Sequence, residues 1–313
     1  MIRRTIFSAS NLLCRLPEKY AAIFAASVGL AAYNLAITER NKIFDKIDRI
    51  YNRANTDLPM PLEQIVKRAY IHFAMVLVEL LRYPILTSED LNKKFAFTGL
   101  ENLNTSLSKN KGVILALPHL GNWEYLGAAI VNKGYKLNSF YLAQKDGGIG
   151  EILDHFRTYS KIVLHDRDRG GIAALRALKK NQILGMIADQ DGNKNGIYTD
   201  FLRHWVSVPA GPANWSLKTG ADLLPLYSLR KKISFNYDAF FLKPFEDERE
   251  APLAEMAVSR TVKMCNWMED LILRYPHQYL WFYDRFKARH EAWTTSELNS
   301  KEQMSHGTAR YTA

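Results

Sequence analysis

The chain has 313 residues, 47% of them hydrophobic, enough to bury one substantial core and too apolar for a disordered polypeptide. Its 42 Lys and Arg against 32 Asp and Glu leave a formal charge of +10, which favours acidic partners, yet no zinc-finger spacing, RNP-like aromatic motif or basic leucine repeat points to nucleic acid. The two cysteines, Cys14 and Cys265, stand alone and support neither a disulfide framework nor a metal knuckle, which fits a reducing compartment.

From the N-terminus, residues 20–38 ("YAAIFAASVGLAAYNLAIT") carry no charge. Their number is near the ~20 residues of a membrane span, although the run is rich in Ala and poor in Leu. Arg3, Arg4, Arg15 and Lys19 precede it and Arg40, Lys42, Lys46 and Arg49 follow. A full span, a monotopic helix lying in the interface and a buried core helix all fit that pattern. A cleaved signal peptide does not, because no small-residue cleavage site ends the run. Residues 62–86 read as one unusually apolar helix, stopped before Pro84, that packs on the rest of the protein or touches lipid.

From residue 95 strand-like and helical stretches alternate. The strands read as "KFAFTGL", "GVILALP", "NSFYLAQ", "KIVLH", "ILGMIA", "DLLPLYSL" and "ISFNYDAFFL". Helices fall near 122–133, 149–159, 170–180 and 211–218, with a long one at 251–274 and a shorter one near 277–287. The expected fold is α/β, a single mixed and mostly parallel sheet flanked by helices, with an N-terminal membrane-associated helix. The expected organisation is a helical region over 1–92, an α/β domain over 93–293 and a disordered tail over 294–313.

Three stretches carry candidate chemistry. In "GVILALPHLGNWEYLG" a buried strand runs into a turn bearing His119, Asn122 and Glu124. His119 and Glu124 are five positions apart, an offset of about 140° on an ideal helix. They converge only if His119 lies in the turn and Glu124 reaches back from the first helical turn. A carboxylate there would hold the imidazole as a general base, whereas a lone His in such a turn is more often structural. There is no G-x-S-x-G elbow and no H-E-x-x-H, so a base acting on a bound hydroxyl is the most economical use of His119.

In "GMIADQDGNKNG" a strand ends at Asp189, Gln190 and Asp191. These are ordinary turn formers, or acids at a strand's carboxyl end beside the His119 turn, where open α/β sheets place ligands. No repeated ligand spacing supports a metal there. In "VPAGPANWSLKTGADLLPLY" Gly211 and Pro212 open a helix, either as a plain start or as an anion cradle. Arg157, the pair Arg167 and Arg169, and the group Arg285, Lys287 and Arg289 form three cationic clusters, either solvated faces or contacts for a phosphorylated acceptor or an acidic carrier.

Taken together, "PHLGNWEYLG", "IADQDG", "VPAGPANWSLKTGA" and "YPHQYLWFYDRFKAR" resemble the late acyltransferases of bacterial lipid A biosynthesis, a branch of the lysophospholipid acyltransferase superfamily. The similarity runs from the N-terminal apolar helix to about residue 293. The resemblance implies transfer of a fatty acyl chain from an acyl-carrier-protein thioester to a hydroxyl of a lipid A precursor, at the cytoplasmic face of the inner membrane. No cofactor and no metal are implied.

By resemblance His119 is the base and Glu124 orients and charges it. Asn122, Arg157, Asp189, Gln190, Gly211 and Arg285 fall at substrate-binding or pocket positions. One departure is "FLRHWVSV" after Asp200, where relatives often show a Phe-Phe-Gly turn. Other readings are an acyltransferase for a glycerophospholipid or mannoside acceptor, a lipid hydrolase, and a non-enzymatic membrane-binding protein.

Overall fold

The computed structural model describes residues 2–141, 149–167, 169–247, 251–283 and 285. Four helices come first: α1 (Ile2–Arg15), α2 (Glu18–Leu35), α3 (Ile37–Ala54) and α4 (Leu62–Leu81). The alternating part follows as α5 (Ser88–Lys94), β1 (Phe95–Thr98), α6 (Leu100–Ser108), β2 (Val113–Leu117), α7 (Trp123–Asn132), β3 (Leu137–Tyr141), α8 (Ile149–Arg157), β4 (Val163–Asp166), α9 (Gly171–Lys179) and β5 (Ile183–Ile187). The chain closes with a hairpin of β6 (Ile197–Phe201) and β7 (His204–Val208), then α10 (Gly211–Thr219), β8 (Asp222–Arg230), β9 (Tyr237–Phe241) and α11 (Leu253–Arg274).

Seven strands form one sheet in the order β1-β9-β8-β2-β5-β3-β4. Only the β8–β9 pairing is antiparallel. All seven were legible as β-branched or aromatic runs. Their order was not, because β5 inserts between β2 and β3, strands it follows in sequence.

β2 is buried along its whole length. Val113 and Leu115 face Tyr125, Leu126 and Ala129 of α7, while Ile114 and Ala116 join a second core with Ile47 and Ile50 of α3 and Met268 of α11. A strand covered on both faces has no polar side to show, which is why "VILAL" does not alternate.

The uncharged run 20–38 does not make one straight helix. α2 and α3 are bent by 90° at the break between Leu35 and Ile37; among the described residues no single helix is long and apolar enough to cross a membrane, and the bent pair reaches that threshold together by length and composition only. The inner face of α2 packs on α4 so closely that a Cβ on Gly29 would lie 2.5 Å from the Ile71 Cα. Small residues at Ala21, Ala22, Ala25 and Gly29 permit that approach, which explains the Ala-rich composition. Its outer face exposes Tyr20, Ile23, Phe24, Val28, Leu30 and Leu35, the last 80% exposed.

Three local expectations need correction. The stretch "KFAFTGL" is shorter as a strand than it reads, because Gly99 adopts φ +76 and starts α6. The β6–β7 hairpin lies where no strand was expected, just after the turn formers of "GMIADQDGNKNG". Its two-residue connection puts Leu202 (φ 52) and Arg203 (φ 59) in the left-handed region, the geometry a tight hairpin demands and glycine usually supplies. Here Leu202 is fully buried, its N–H donates to Glu269 Oε2 at 2.6 Å, and Arg203 Nε pairs with Glu269 Oε1 at 3.0 Å. Tertiary contacts thus hold a turn that carries no glycine. Finally, no helix runs over 277–283. Pro276–Gln278 make one 3-10 turn, after which the backbone is diverted into a bridge between Leu120 and Tyr279. The expected tail over 294–313 lies outside the described residues.

Candidate active site

β2 and β5 are adjacent and parallel, with Leu117 paired to Ile187, and the Ala188 N–H continues the ladder onto the Leu117 carbonyl at 3.0 Å. His119 and Asp189 each stand two positions beyond that last pair, so the register delivers them side by side at the carboxyl edge of the sheet, where open α/β sheets hold ligands.

Asp189 Oδ1 lies 2.7 Å from His119 Nδ1, and Asp189 Oδ2 accepts the His119 backbone N–H at 2.9 Å. One carboxylate therefore fixes both the ring and the main chain of the histidine. The Asp189 side chain is 1% exposed and that of His119 13%, so the acid is sealed and the imidazole still reaches the surface. Burial alone would raise the Asp189 carboxyl, but His119, through its charge and two hydrogen bonds, outweighs it and holds the group below the usual carboxylate range. An ionised acceptor on Nδ1 keeps the proton of neutral His119 there and leaves Nε2 with its lone pair. Trp123 sets its ring edge-to-face against the imidazole, centroids 4.8 Å apart.

Glu124, the expected partner of His119, is engaged elsewhere. Its Oε1 accepts from Arg157 Nη2 at 2.7 Å and from Nε at 3.1 Å, its Oε2 accepts from Nε at 3.3 Å, and Asp154 takes Arg157 Nη1 at 2.9 Å. Burial disfavours the guanidinium charge, but Glu124 and Asp154 more than offset this and raise the Arg157 ionisation. Position explains the exchange of partners. Glu124 sits in the first turn of α7, which points it toward α8, whereas Asp189 arrives on the neighbouring strand already in register. Arg157 is thus a clamp between α7 and α8, with its guanidinium committed to two carboxylates.

The other expected site residues separate by depth. Asn122 is fully buried; it caps α7 through the Tyr125 N–H at 2.9 Å and donates to Glu79 at 2.8 Å, so it builds the turn from below. Gln190 is half-buried directly after Asp189. Gly211 opens α10 against the strand that carries Asp189, where a Cβ would lie 3.0 Å from Met186 Cε. Arg285 is 3% exposed, stacks over Phe201 at 5.2 Å and donates to the Ser207 carbonyl at 3.0 Å. Its charge also helps hold Asp189 ionised. Arg167 and Arg169 are exposed, while Lys287 and Arg289 lie outside the described residues. Among the described residues the three cationic clusters therefore supply one clamp, one exposed pair and, from the third, the buried Arg285.

Residues of the "YPHQYLWFYDRFKAR" block that were not named as site residues hold the turn. The Gly121 N–H bonds the Gln278 carbonyl, the Leu280 N–H bonds the His119 carbonyl, both at 3.0 Å, and Tyr279 lies against Asp189, which after burial is the main cause of its raised hydroxyl. Below the turn, Glu79 of α4 receives Arg230, Asn122 and Tyr237. A signal for this was present: Glu79 is the one acid in the apolar run "FAMVLVELL", and a lone buried charge requires a partner. Cys265 is not a ready nucleophile, since burial pushes its thiol up to about 12.

This scaffold also predicts acid sensitivity. His277 beneath the turn is pushed down to about 4 by burial and by Arg68, and burial followed by the Arg230 charge lowers His72 well below the ordinary range. An unfolded His titrates near ~6.5, so below that value the unfolded chain binds protons that the folded chain refuses. Stability is unaffected above ~6.5 and falls as pH drops toward the folded values, by up to about 3 kcal/mol for His277 alone. Melting temperatures between pH 6.5 and 4 should decline less steeply in His277→Gln than in the parent; equal slopes would rule His277 out as the cause.

A mostly parallel sheet with an oriented, solvent-reaching histidine at its carboxyl edge makes this turn the candidate active site. The sequence profile of bacterial lipid A biosynthesis acyltransferases matches residues 10–288, and the chain belongs to that family. Similar proteins include a phosphatidylinositol mannoside acyltransferase of Mycolicibacterium smegmatis, 24% identical over 69% of this chain and 71% of that protein. The lipid A biosynthesis palmitoleoyltransferase of Escherichia coli is 26% identical over 72% of each chain. The lipid A biosynthesis lauroyltransferase of the same organism is 25% identical over 62% of each. The protein is an acyltransferase of the lipid A or phosphatidylinositol mannoside type.

Proposed function

We propose that the enzyme moves a fatty acyl chain from an acyl-carrier-protein thioester to a hydroxyl of a lipid-A-type glycolipid, with His119 as general base. The observation that carries this reading is the 2.7 Å contact of His119 Nδ1 with Asp189, which leaves Nε2 to take the acceptor's proton. The alkoxide oxygen attacks the thioester carbonyl. Collapse of the tetrahedral intermediate breaks the C–S bond, and the imidazolium returns its proton to the departing thiolate. A thioester is already activated, so no acyl-enzyme is needed. A phosphatidylinositol mannoside is the second acceptor considered, favoured by the similarity to the mycobacterial enzyme.

The net charge of +10 suits an acidic carrier. The exposed apolar face of α2, flanked by exposed Lys19 and Lys42, suits an enzyme resting in the cytoplasmic leaflet of the inner membrane, next to an acceptor that never leaves the bilayer.

The test is a reconstituted assay with labelled acyl-carrier-protein or coenzyme A thioester, offered a lipid A precursor or a mannoside acceptor and stopped in acid. The expected product is the lipid A precursor one acyl chain heavier by mass, formed faster from the carrier-protein donor, with no label on the enzyme. Transfer to neither acceptor, or stoichiometric label on protein, would overturn the reading, and fractionation that leaves the protein out of the inner membrane would remove the membrane part.

A further inference from the structure

Two side chains of α4 reach under the catalytic turn. His72 and Glu79 are seven positions apart, two helical turns, and so share a face. His72 Nε2 lies 2.9 Å from the Gly121 carbonyl, and Arg230 Nε lies 3.2 Å from His72 Nδ1. A guanidinium only donates, so Nδ1 is the acceptor and Nε2 carries the proton that holds Gly121. Gly121 leaves no room for a side chain: its φ is +66 and a Cβ there would meet the Ser228 carbonyl at 2.0 Å.

Arg230 links the two supports of the turn. Its guanidinium takes Glu79 Oε1 at 3.0 Å and Oε2 at 2.5 Å. Its backbone N–H and carbonyl are read by the Gln278 side chain at 2.7 and 3.2 Å, and the Gln278 carbonyl is the acceptor for Gly121 N–H. Gly121 is thus held at its N–H from the 276–280 segment and at its carbonyl from α4. Both lines pass through Arg230 and converge on Gly121, two residues from His119 along the chain.

We infer that His72 is a positioning residue for His119: by holding the Gly121 carbonyl from α4 it sets the height of the turn, so that the imidazole meets Asp189 and the acceptor hydroxyl together. This rests on His119 being the base. It also makes α4, the helix on which α2 packs, a working part of the active site. Exact placement matters because a displacement of about 1 Å in a reacting group costs on the order of 10²-fold in rate.

Two replacements separate holding from mere filling. His72→Gln keeps a donor that reaches the Gly121 carbonyl. His72→Asn keeps an acceptor for Arg230 Nε but stops short of Gly121. In full-length protein, the low-field Nδ1–H proton resonance of His119 should survive in His72→Gln and shift or broaden in His72→Asn. With carrier-protein donor and glycolipid acceptor, kcat of His72→Asn should fall ~10–10²-fold while both KM values stay within about twofold, and His72→Gln should recover most of the loss.

An unchanged resonance with full kcat in His72→Asn would overturn the inference. So would equal impairment of the two variants, or failure of both to fold, which would make His72 a stability residue. If the parent protein transfers no acyl chain, the functional reading fails while the resonance still decides whether His72 holds His119.

Discussion

Replacing His119 by Ala should leave a folded enzyme whose kcat is lower by about 10²–10⁴, and Asp189→Asn should lose a comparable amount. Asp189 uses one oxygen for the His119 N–H and the other for Nδ1. In the asparagine variant only one of those positions is still an oxygen, and if it stays on the main-chain N–H, the amide NH2 faces Nδ1. That contact favours the tautomer with its proton on Nε2, which is useless as a base. Because the two residues act as one unit, His119→Ala combined with Asp189→Asn should be little worse than His119→Ala alone.

Glu124→Gln and Arg157→Gln form a second coupled pair, since each side chain is the other's principal partner. Steady-state kinetics of the four single and the paired variants check this: strong non-additivity within each pair and near-additivity between pairs is expected. If Glu124→Gln is non-additive with His119→Ala and Asp189→Asn is additive with it, Glu124 rather than Asp189 is the functional partner of the histidine.

The largest loss of stability is expected at Glu79→Leu. The Arg230 side chain is 3% exposed and that of Glu79 is fully buried, so removing the carboxylate strands a guanidinium in the core together with the donors of Asn122 and Tyr237. Breaking a buried pair from one side costs about 3–5 kcal/mol, a large share of the ~5–15 kcal/mol that holds a typical domain. Chemical denaturation should register that loss. In contrast, the double replacement Glu79→Met with Arg230→Met, which removes both charges and keeps volume, should recover a good part of it. A Glu79→Leu protein as stable as the parent would mean that water or another acceptor reaches Arg230 on its removal.

The α/β class and the seven strands of the sheet followed from local rules, because a strand buried on both faces must be continuously apolar, as in "VILAL", and a helix of the alternating part needs its own start and stop signals. The position of His119 was legible for the same reason: it lies between an uncharged strand and the start of a helix. The hairpin over residues 197–208 was not legible. Leu202 and Arg203 contradict the local preference for glycine in a tight turn, and the acceptor of their donors is Glu269, 66 positions away in sequence from Arg203.

The choice of carboxylate was likewise beyond the sequence. Glu124 lies five positions from His119 and Asp189 lies seventy, so proximity along the chain favoured the former. The pairing of β2 with β5 reversed that preference. Two parallel strands in register carry whatever follows their last rungs to the same place, whereas α7 turns Glu124 away toward Arg157. The motif therefore determined which residue types stand at the edge of the sheet. Strand order, which depends on non-local hydrogen bonds between segments distant in sequence, decided which of them touch.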